Sequence, residues 1–215
     1  MKLYGYFRSS AAYRVRIALN LKGLEYEAVS VHLLKDGGQQ RSESYKALNP
    51  TELVPTLVDG ELALGQSMAI LEYLEETHPE PALLPRDPAG RARVRAIAQT
   101  IACDIHPLNN LRVLQHLKRE LKVDDGTKDA WYRHWVDVGL RGVEALLANH
   151  PATGRFCHGD QVTLADVLLV PQVYNARRFD CDLSGMPTIT RIVEECASLD
   201  AFQRAEPARQ PDAEG

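Results

Sequence analysis

The chain has 215 residues, long enough for one large domain or two small ones and for a sizeable core. Lysine and arginine total 25 against 29 acidic residues, a formal balance of −4 that argues against a global nucleic-acid or polyanion surface. Any anion site must therefore be local. Cys103, Cys157, Cys181 and Cys196 lie far apart with no Cys-x-x-Cys pair, which excludes a zinc ligand set or a redox motif and leaves four free thiols, mostly buried. No apolar run approaches the roughly eighteen residues of a membrane span, and no signal-like apolar stretch follows Met1. The expected address is the cytoplasm, with no metal, no membrane and no nucleic acid as partner.

Lys2 to Phe7 alternates as a short strand, and Ala11 to Lys22 reads as a buried helix stopped by Gly23. The junction between them, Arg8-Ser9-Ser10, is the first candidate site. Either serine can cap the helix, whose first N–H groups and partial positive charge attract an anion. The same residues also suit a plain capped helix with solvated arginines. Tyr26 to Leu33 is a second strand, and a strand–helix–strand order favours parallel pairing with a right-handed crossover. Lys35 to Ser44 reads as loop, and Tyr45 to Leu48 as a helical turn ended by Asn49-Pro50.

Leu53 to Leu64 holds two apolar runs around Asp59-Gly60, a hairpin signal, with Val54-Pro55 a candidate cis bond at its start. Gln66-Ser67 precedes a helix running to His78, so a second hydroxyl stands at a second helix start. Prolines 79, 81, 85 and 88 then mark a boundary between a first domain, 1–82, and a second, 89–215. Beyond it Val94, Ile97, Ala98, Ile101 and Ile105 form a buried helical stripe, with a kink expected at Pro107. Thr127 to His150 carries Trp131, Trp135, Val138, Gly142 and Leu146 at helical spacing, read as core. Thr163-Leu164-Ala165-Asp166 resembles a capping box opening a buried helix, and Pro187 opens a last helix. Pro207 to Gly215 reads as a mobile tail. The fold class is α/β followed by all-α: a βαβ unit with a hairpin and helix, then a helical domain.

This order and these motifs resemble the cytosolic glutathione transferases, and more narrowly their zeta class, the maleylacetoacetate and maleylpyruvate isomerases. The motif Ser-Ser-Cys-x-Trp-Arg-Val-Arg-Ile-Ala-Leu corresponds to Ser9 to Leu19, with Ala11 and Tyr13 standing in for the cysteine and tryptophan. Further matches are Asn49-Pro50, Leu53 to Leu57, Gln66-Ser67, Asp104 to Pro107 with Asn109-Asn110, and Thr163 to Asp166. The resemblance implies a thioredoxin-like N-terminal domain that binds glutathione, an all-helical C-terminal domain, a homodimer, and cis–trans isomerisation of a small dicarboxylate in aromatic catabolism. General conjugation of glutathione to electrophiles is the other activity it allows.

By the same resemblance Ser9 contacts the thiolate, with Ser10 in reserve, and Val54, Pro55, Gln66, Ser67, Asp104, His106 and Asn110 hold glutathione. Arg8, Arg112 and Arg178 clamp the substrate carboxylates. The alanine at position 11 implies that no protein thiol is needed. His106 and Asn110 fall four residues apart and could share a helix face, though His106 also suits a structural role at the kink. Arg177-Arg178 at a helix end also suits solvation or the helix dipole. Arg14 and Arg16, inside the helix, are expected to make structural ion pairs.

Overall fold

The computed structural model describes residues 1–214. Its contacts group the chain into two units, residues 1–83 with the C-terminal segment from Ala197 onward, and Leu84–Cys196. The division after Leu83 falls in the proline-marked segment, and the residues from Ala197 onward group with the first unit rather than with the helical one.

In the first unit four strands pair in the order β2-β1-β3-β4. Strand β1 (Lys2–Gly5) runs parallel to β2 (Glu27–Ser30) and antiparallel to β3 (Thr56–Asp59), which forms a hairpin with β4 (Leu62–Gly65). Helix α1 (Ser10–Leu21) makes the crossover between the two parallel strands. It ends at Gly23, whose φ of 65° turns the chain in a conformation that glycine adopts without strain. Short α2 (Glu43–Leu48) precedes the hairpin and α3 (Ser67–Thr77) follows it. This is the thioredoxin-like arrangement.

Helix α1 packs on α3 and on a short C-terminal helix, α9 (Asp200–Ala205), which the sequence did not announce. Covered on so many sides, α1 buries Val15, Ile17, Ala18 and Leu19 together with both arginines. Arg16 donates from Nε to the Ala205 carbonyl at 3.0 Å and from Nη2 to the Phe7 carbonyl at 3.1 Å. Arg14 donates to the Ser67 hydroxyl at 3.3 Å. The arginines thus tie α1 to its neighbours through hydroxyl and carbonyl acceptors. Residues 207–214 are not a loose tail: Asp212 and Glu214 bind back onto the sheet end and its loops.

The second unit is helical: α4 (Pro88–Gln99), α5 (Leu111–Arg119), α6 (Asp125–Ala148), α7 (Leu164–Arg178) and α8 (Pro187–Ala197). The stripe Val94, Ile97, Ala98, Ile101 and Ile105 is buried as its spacing demands. The expected kink is a full break. A π-helical turn (Thr100–Ile105) and a 3₁₀ turn (His106–Asn109) separate α4 from α5, because Pro107 offers no N–H and crowds the residue before it.

Helix α6 is rotated from the sequence expectation. Its core face is Tyr132, Val136, Leu140, Val143 and Leu147, while Val138 and Leu146 are 49% and 45% exposed. Trp131 and Trp135 are half-buried, edge to face, and the Trp131 indole N–H donates to the Leu108 carbonyl. Two apolar stripes offset by one residue compete on this helix. Gly139 decides between them, since a Cβ there would lie 2.2 Å from Ile105 Cγ1 and only glycine lets the π-helical turn come so near.

The Thr163–Asp166 capping box forms as its spacing suggested. Buried Asp166 accepts from the Cys157 N–H, the Thr163 N–H and the Thr163 hydroxyl, all within 2.9 Å. Burial still pushes its carboxyl up, against these hydrogen bonds. Glu144 caps α8 by accepting from the Thr188 and Ile189 N–H groups. All four cysteines are free. Cys157 and Cys196 are buried, whereas Cys103 is exposed and Cys181 half-buried.

Candidate functional site

The strand register carries three chain junctions to one end of the sheet. Tyr4 on β1 pairs with Thr56 at the start of β3, which pairs with Gly65 at the end of β4. Ser9, Val54-Pro55 and Gln66-Ser67 therefore leave or enter the sheet at the same edge, where α1 and α3 both begin.

At the first junction Ser9 is the N-cap of α1, with extended backbone and its Oγ accepting from the Ala12 N–H at 3.2 Å. The Ser9 N–H closes the preceding turn on the Tyr6 carbonyl at 2.9 Å. A hydroxyl that accepts in this way keeps its own proton to donate outward. Ser9 is half-buried, whereas Ser10 lies inside the helix and is 4% exposed, so the two serines are not equivalent. Arg8 is exposed, its guanidinium 4.8 Å from the centre of the Phe7 ring.

At the second junction the Val54-Pro55 bond is cis. Tyr45 and Asn49 hold this segment: the Tyr45 hydroxyl and Asn49 Nδ2 both donate to the Leu53 carbonyl, and both lie 2.9 Å from Thr56 Oγ1. Burial raises the Tyr45 phenol above its ordinary range, keeping it a neutral donor. Asn49 ends α2 as its sequence suggests, while the bracket it makes with Tyr45 was missed, since no local pattern announces its partners Leu53 and Thr56. Among the described residues neither the N–H nor the C=O of Val54 has a hydrogen-bond partner.

At the third junction Gln66 is the N-cap of α3, with φ 66°, and no side chain caps the helix. Ser67 is its first residue, buried, with the 1% exposed Arg14 guanidinium behind its hydroxyl. An uncapped helix start beside a hydroxyl is chemically suited to a carboxylate.

The remaining expected residues belong to the second unit. Asp104 is exposed in the π-helical turn and His106 half-buried in the 3₁₀ turn. Asn110 does not continue a helix from His106. Its extended backbone makes it the N-cap of α5, with Oδ1 accepting from the Arg112 N–H at 3.1 Å, so the shared helix face expected for the pair does not exist. Its neighbour Asn109 is buried and donates to the Tyr132 carbonyl. Arg112 is exposed. Arg177 and Arg178 are both exposed in the last turn of α7, with Arg178 5.0 Å from the centre of the Phe179 ring, itself stacked on Tyr132. Among the described residues no group of His, Cys, Asp or Glu is arranged to hold a metal ion.

Residues 3–82 match the family described as Glutathione S-transferase, N-terminal domain. The chain is 56% identical to a probable maleylacetoacetate isomerase of Vibrio cholerae, over 98% of this chain and 97% of that one. It superposes with a TM-score of 0.97, at 50% identity and with full coverage of both chains, on the holo structure of a maleyl pyruvate isomerase described as a bacterial zeta-class glutathione S-transferase. A maleylacetoacetate isomerase of Methylobacterium extorquens AM1, solved with malonate and glutathione bound, gives a TM-score of 0.96 at 45% identity, again over the whole of both chains. With the same strand–helix junctions and relatives matched along its whole length, the chain belongs to the zeta-class glutathione transferases, the family of the maleylacetoacetate and maleylpyruvate isomerases.

Proposed function

We propose that the protein is a glutathione-dependent cis–trans isomerase of maleylacetoacetate. The observation that carries this reading is the sheet end at which the Ser9 hydroxyl, the unpaired Val54 backbone and the uncapped start of α3 emerge together. These groups fit glutathione: a hydroxyl donor for its sulfur, a peptide edge for its cysteinyl backbone, and Gln66 with Ser67 at a helix N-terminus for its γ-glutamyl carboxylate. Asp104, His106 and Asn110 complete the glutathione contacts in this proposal.

Bound glutathione supplies a thiolate, a nucleophile that adds reversibly to an activated double bond and so lets it rotate. The chain's task is to keep that sulfur ionised. A free thiol titrates near 8.5, and lowering it by about two units needs about 2.7 kcal/mol. One hydroxyl hydrogen bond to an anion, about 1.5–3 kcal/mol, with a helix N-terminus at about 0.3–1, suffices. Ser9 provides the first and α1 the second; Ser10, buried, is in reserve.

The substrate class carries carboxylates, and planar guanidinium forks bind these bidentately. Arg8, Arg112 and Arg178 take that role. A transferase for apolar electrophiles would have no use for them. Maleylpyruvate is the second reading, favoured by the zeta-class structure that the chain matches at a TM-score of 0.97. A homodimer and a cytoplasmic location belong to the same proposal, the first checked by sedimentation at micromolar concentration. No described helix is long and apolar enough to cross a membrane. The deciding experiment follows the loss of the cis isomer of maleylacetoacetate and of maleylpyruvate, resolved chromatographically from the trans product, with and without glutathione. Glutathione-dependent loss supports the proposal, and no turnover of either compound overturns it.

A further inference from the structure

The Phe7 peptide, two residues before Ser9, is held from both sides. Its carbonyl accepts from Arg16 Nη2 at 3.1 Å, and Arg16 is itself anchored on the Ala205 carbonyl. Its N–H donates to Asp212 Oδ2 at 3.1 Å, across 205 positions of chain. The same Oδ2 accepts from the Ser30 hydroxyl at 3.1 Å. Ser30 ends β2, opposite Gly5 at the end of β1, so one carboxylate oxygen bridges the ends of two neighbouring strands.

Residues 210–212 reach this point over a cavity of about 190 Å³ lined by Leu3, Tyr6, Tyr26 and Val29 among others. Two residues on, Glu214 pairs with His32 Nε2 at 3.3 Å and with Lys35. That second anchor grips the loop after β2 rather than the Ser9 junction.

We propose that Asp212 is a positioning residue for the glutathione sulfur site, fixing through the Phe7 N–H the turn that aims the Ser9 hydroxyl. The inference rests on the role given to Ser9 above. The physical argument is one of orientation: the Ser9 N–H closes its turn on Tyr6, so the Tyr6–Ser9 turn moves as a piece, and the Phe7 peptide is one point at which the rest of the fold holds that piece, beside the packing of the Tyr6 ring on His32. A small displacement of an orienting group costs far more in rate than in binding.

The sign of the effect separates this role from a simple charge effect. A nearby carboxylate opposes thiolate formation through space, so deleting it as mere charge lowers the pKa of the bound thiol. Deleting a positioning residue raises it. The experiment titrates the ultraviolet absorbance of enzyme-bound glutathione thiolate in the wild type, Asp212→Ala, Asp212→Asn and Asp212→Glu, with isomerase kcat and KM measured alongside. Asp212→Ala is expected to raise the thiol pKa and to lower kcat about 3- to 30-fold, with the substrate KM changed less than about twofold. Asp212→Asn, which keeps the acceptor without the charge, is expected to restore both. Asp212→Glu keeps the charge but misplaces the acceptor, and is expected to behave as alanine does; it also serves should the alanine variant not fold. Glu214→Ala is expected to leave the thiol pKa unchanged. A thiol pKa that is unchanged or lowered in Asp212→Glu, or in a folded Asp212→Ala, overturns the inference. Ser9→Ala run in parallel distinguishes the two failures. If it raises the thiol pKa while the Asp212 variants do not, only the present inference falls; if Ser9→Ala has no effect, the reading of Ser9 falls first.

Discussion

Ser9 and Ser10 are adjacent and chemically identical, yet only Ser9 has the extended backbone of an N-cap, and it is half-buried where Ser10 is buried. Sequence alone left both in play, because capping phase depends on where the turn from β1 closes, and that is set by the Tyr6 carbonyl. Ser9→Ala is expected to lower kcat/KM on the order of 10- to 100-fold, the value of one hydrogen bond to an anion, and far more than Ser10→Ala or Arg14→Ala. Steady-state rates on the purified variants measure this, and equal losses for Ser9 and Arg14 would mean the wrong end of the motif is active. For the arginines proposed to clamp the substrate, Arg178→Met is expected to raise the substrate KM and leave the glutathione KM unchanged, read from initial rates with each varied in turn. Arg14 and Arg16 show where local reading stops. Their burial follows from the apolar residues around them, but the acceptors at Ser67, Phe7 and Ala205 are remote in sequence and no spacing announces them.

Helical periodicity was legible wherever one face was clearly apolar. The α4 stripe from Val94 to Ile105 and the capping box at Thr163 are local patterns, and both form. On α6 two stripes one residue apart were equally apolar, and choosing the one with both tryptophans was wrong. Gly139, a residue with no side chain to count, selects the face because it admits Ile105. Gly139→Ala is therefore expected to destabilise the protein by about 1–3 kcal/mol, the usual cost of overpacking, seen as a lower urea midpoint. Adding Ile105→Ala should recover part of that loss, as coupled neighbours do. Asp166→Ala, which strands three buried donors, is expected to cost at least as much, about 3 kcal/mol.

At the level of the whole molecule, the two-part division was legible from the prolines between residues 79 and 88, and the fold class from the element order. The return of residues 197–214 to the first unit was not, because a short polar, proline-containing segment has no periodicity to read. It docks on the first unit through α9 packed on α1, through the Arg16 and Asn20 side chains donating to the Ala205 and Ala201 carbonyls, and through Asp212 and Glu214. Hydrogen bonding to Lys35 holds the Glu214 carboxyl below its ordinary range, so its contribution is present above the usual carboxylate pKa and is lost as pH falls through the lowered value. Limited proteolysis is expected to cut residues 206–214 faster in acid than at neutral pH, using a protease active at both. The division has a consequence for synthesis on the ribosome. Every residue of the helical unit precedes Ala197, so that unit is complete in sequence while α1 still lacks α9 and Phe7 still lacks Asp212. The unit that is begun first is thus finished last, and a fusion joined directly after Glu214 is expected to disturb the Asp212 contact with Phe7, at the opposite end of the chain.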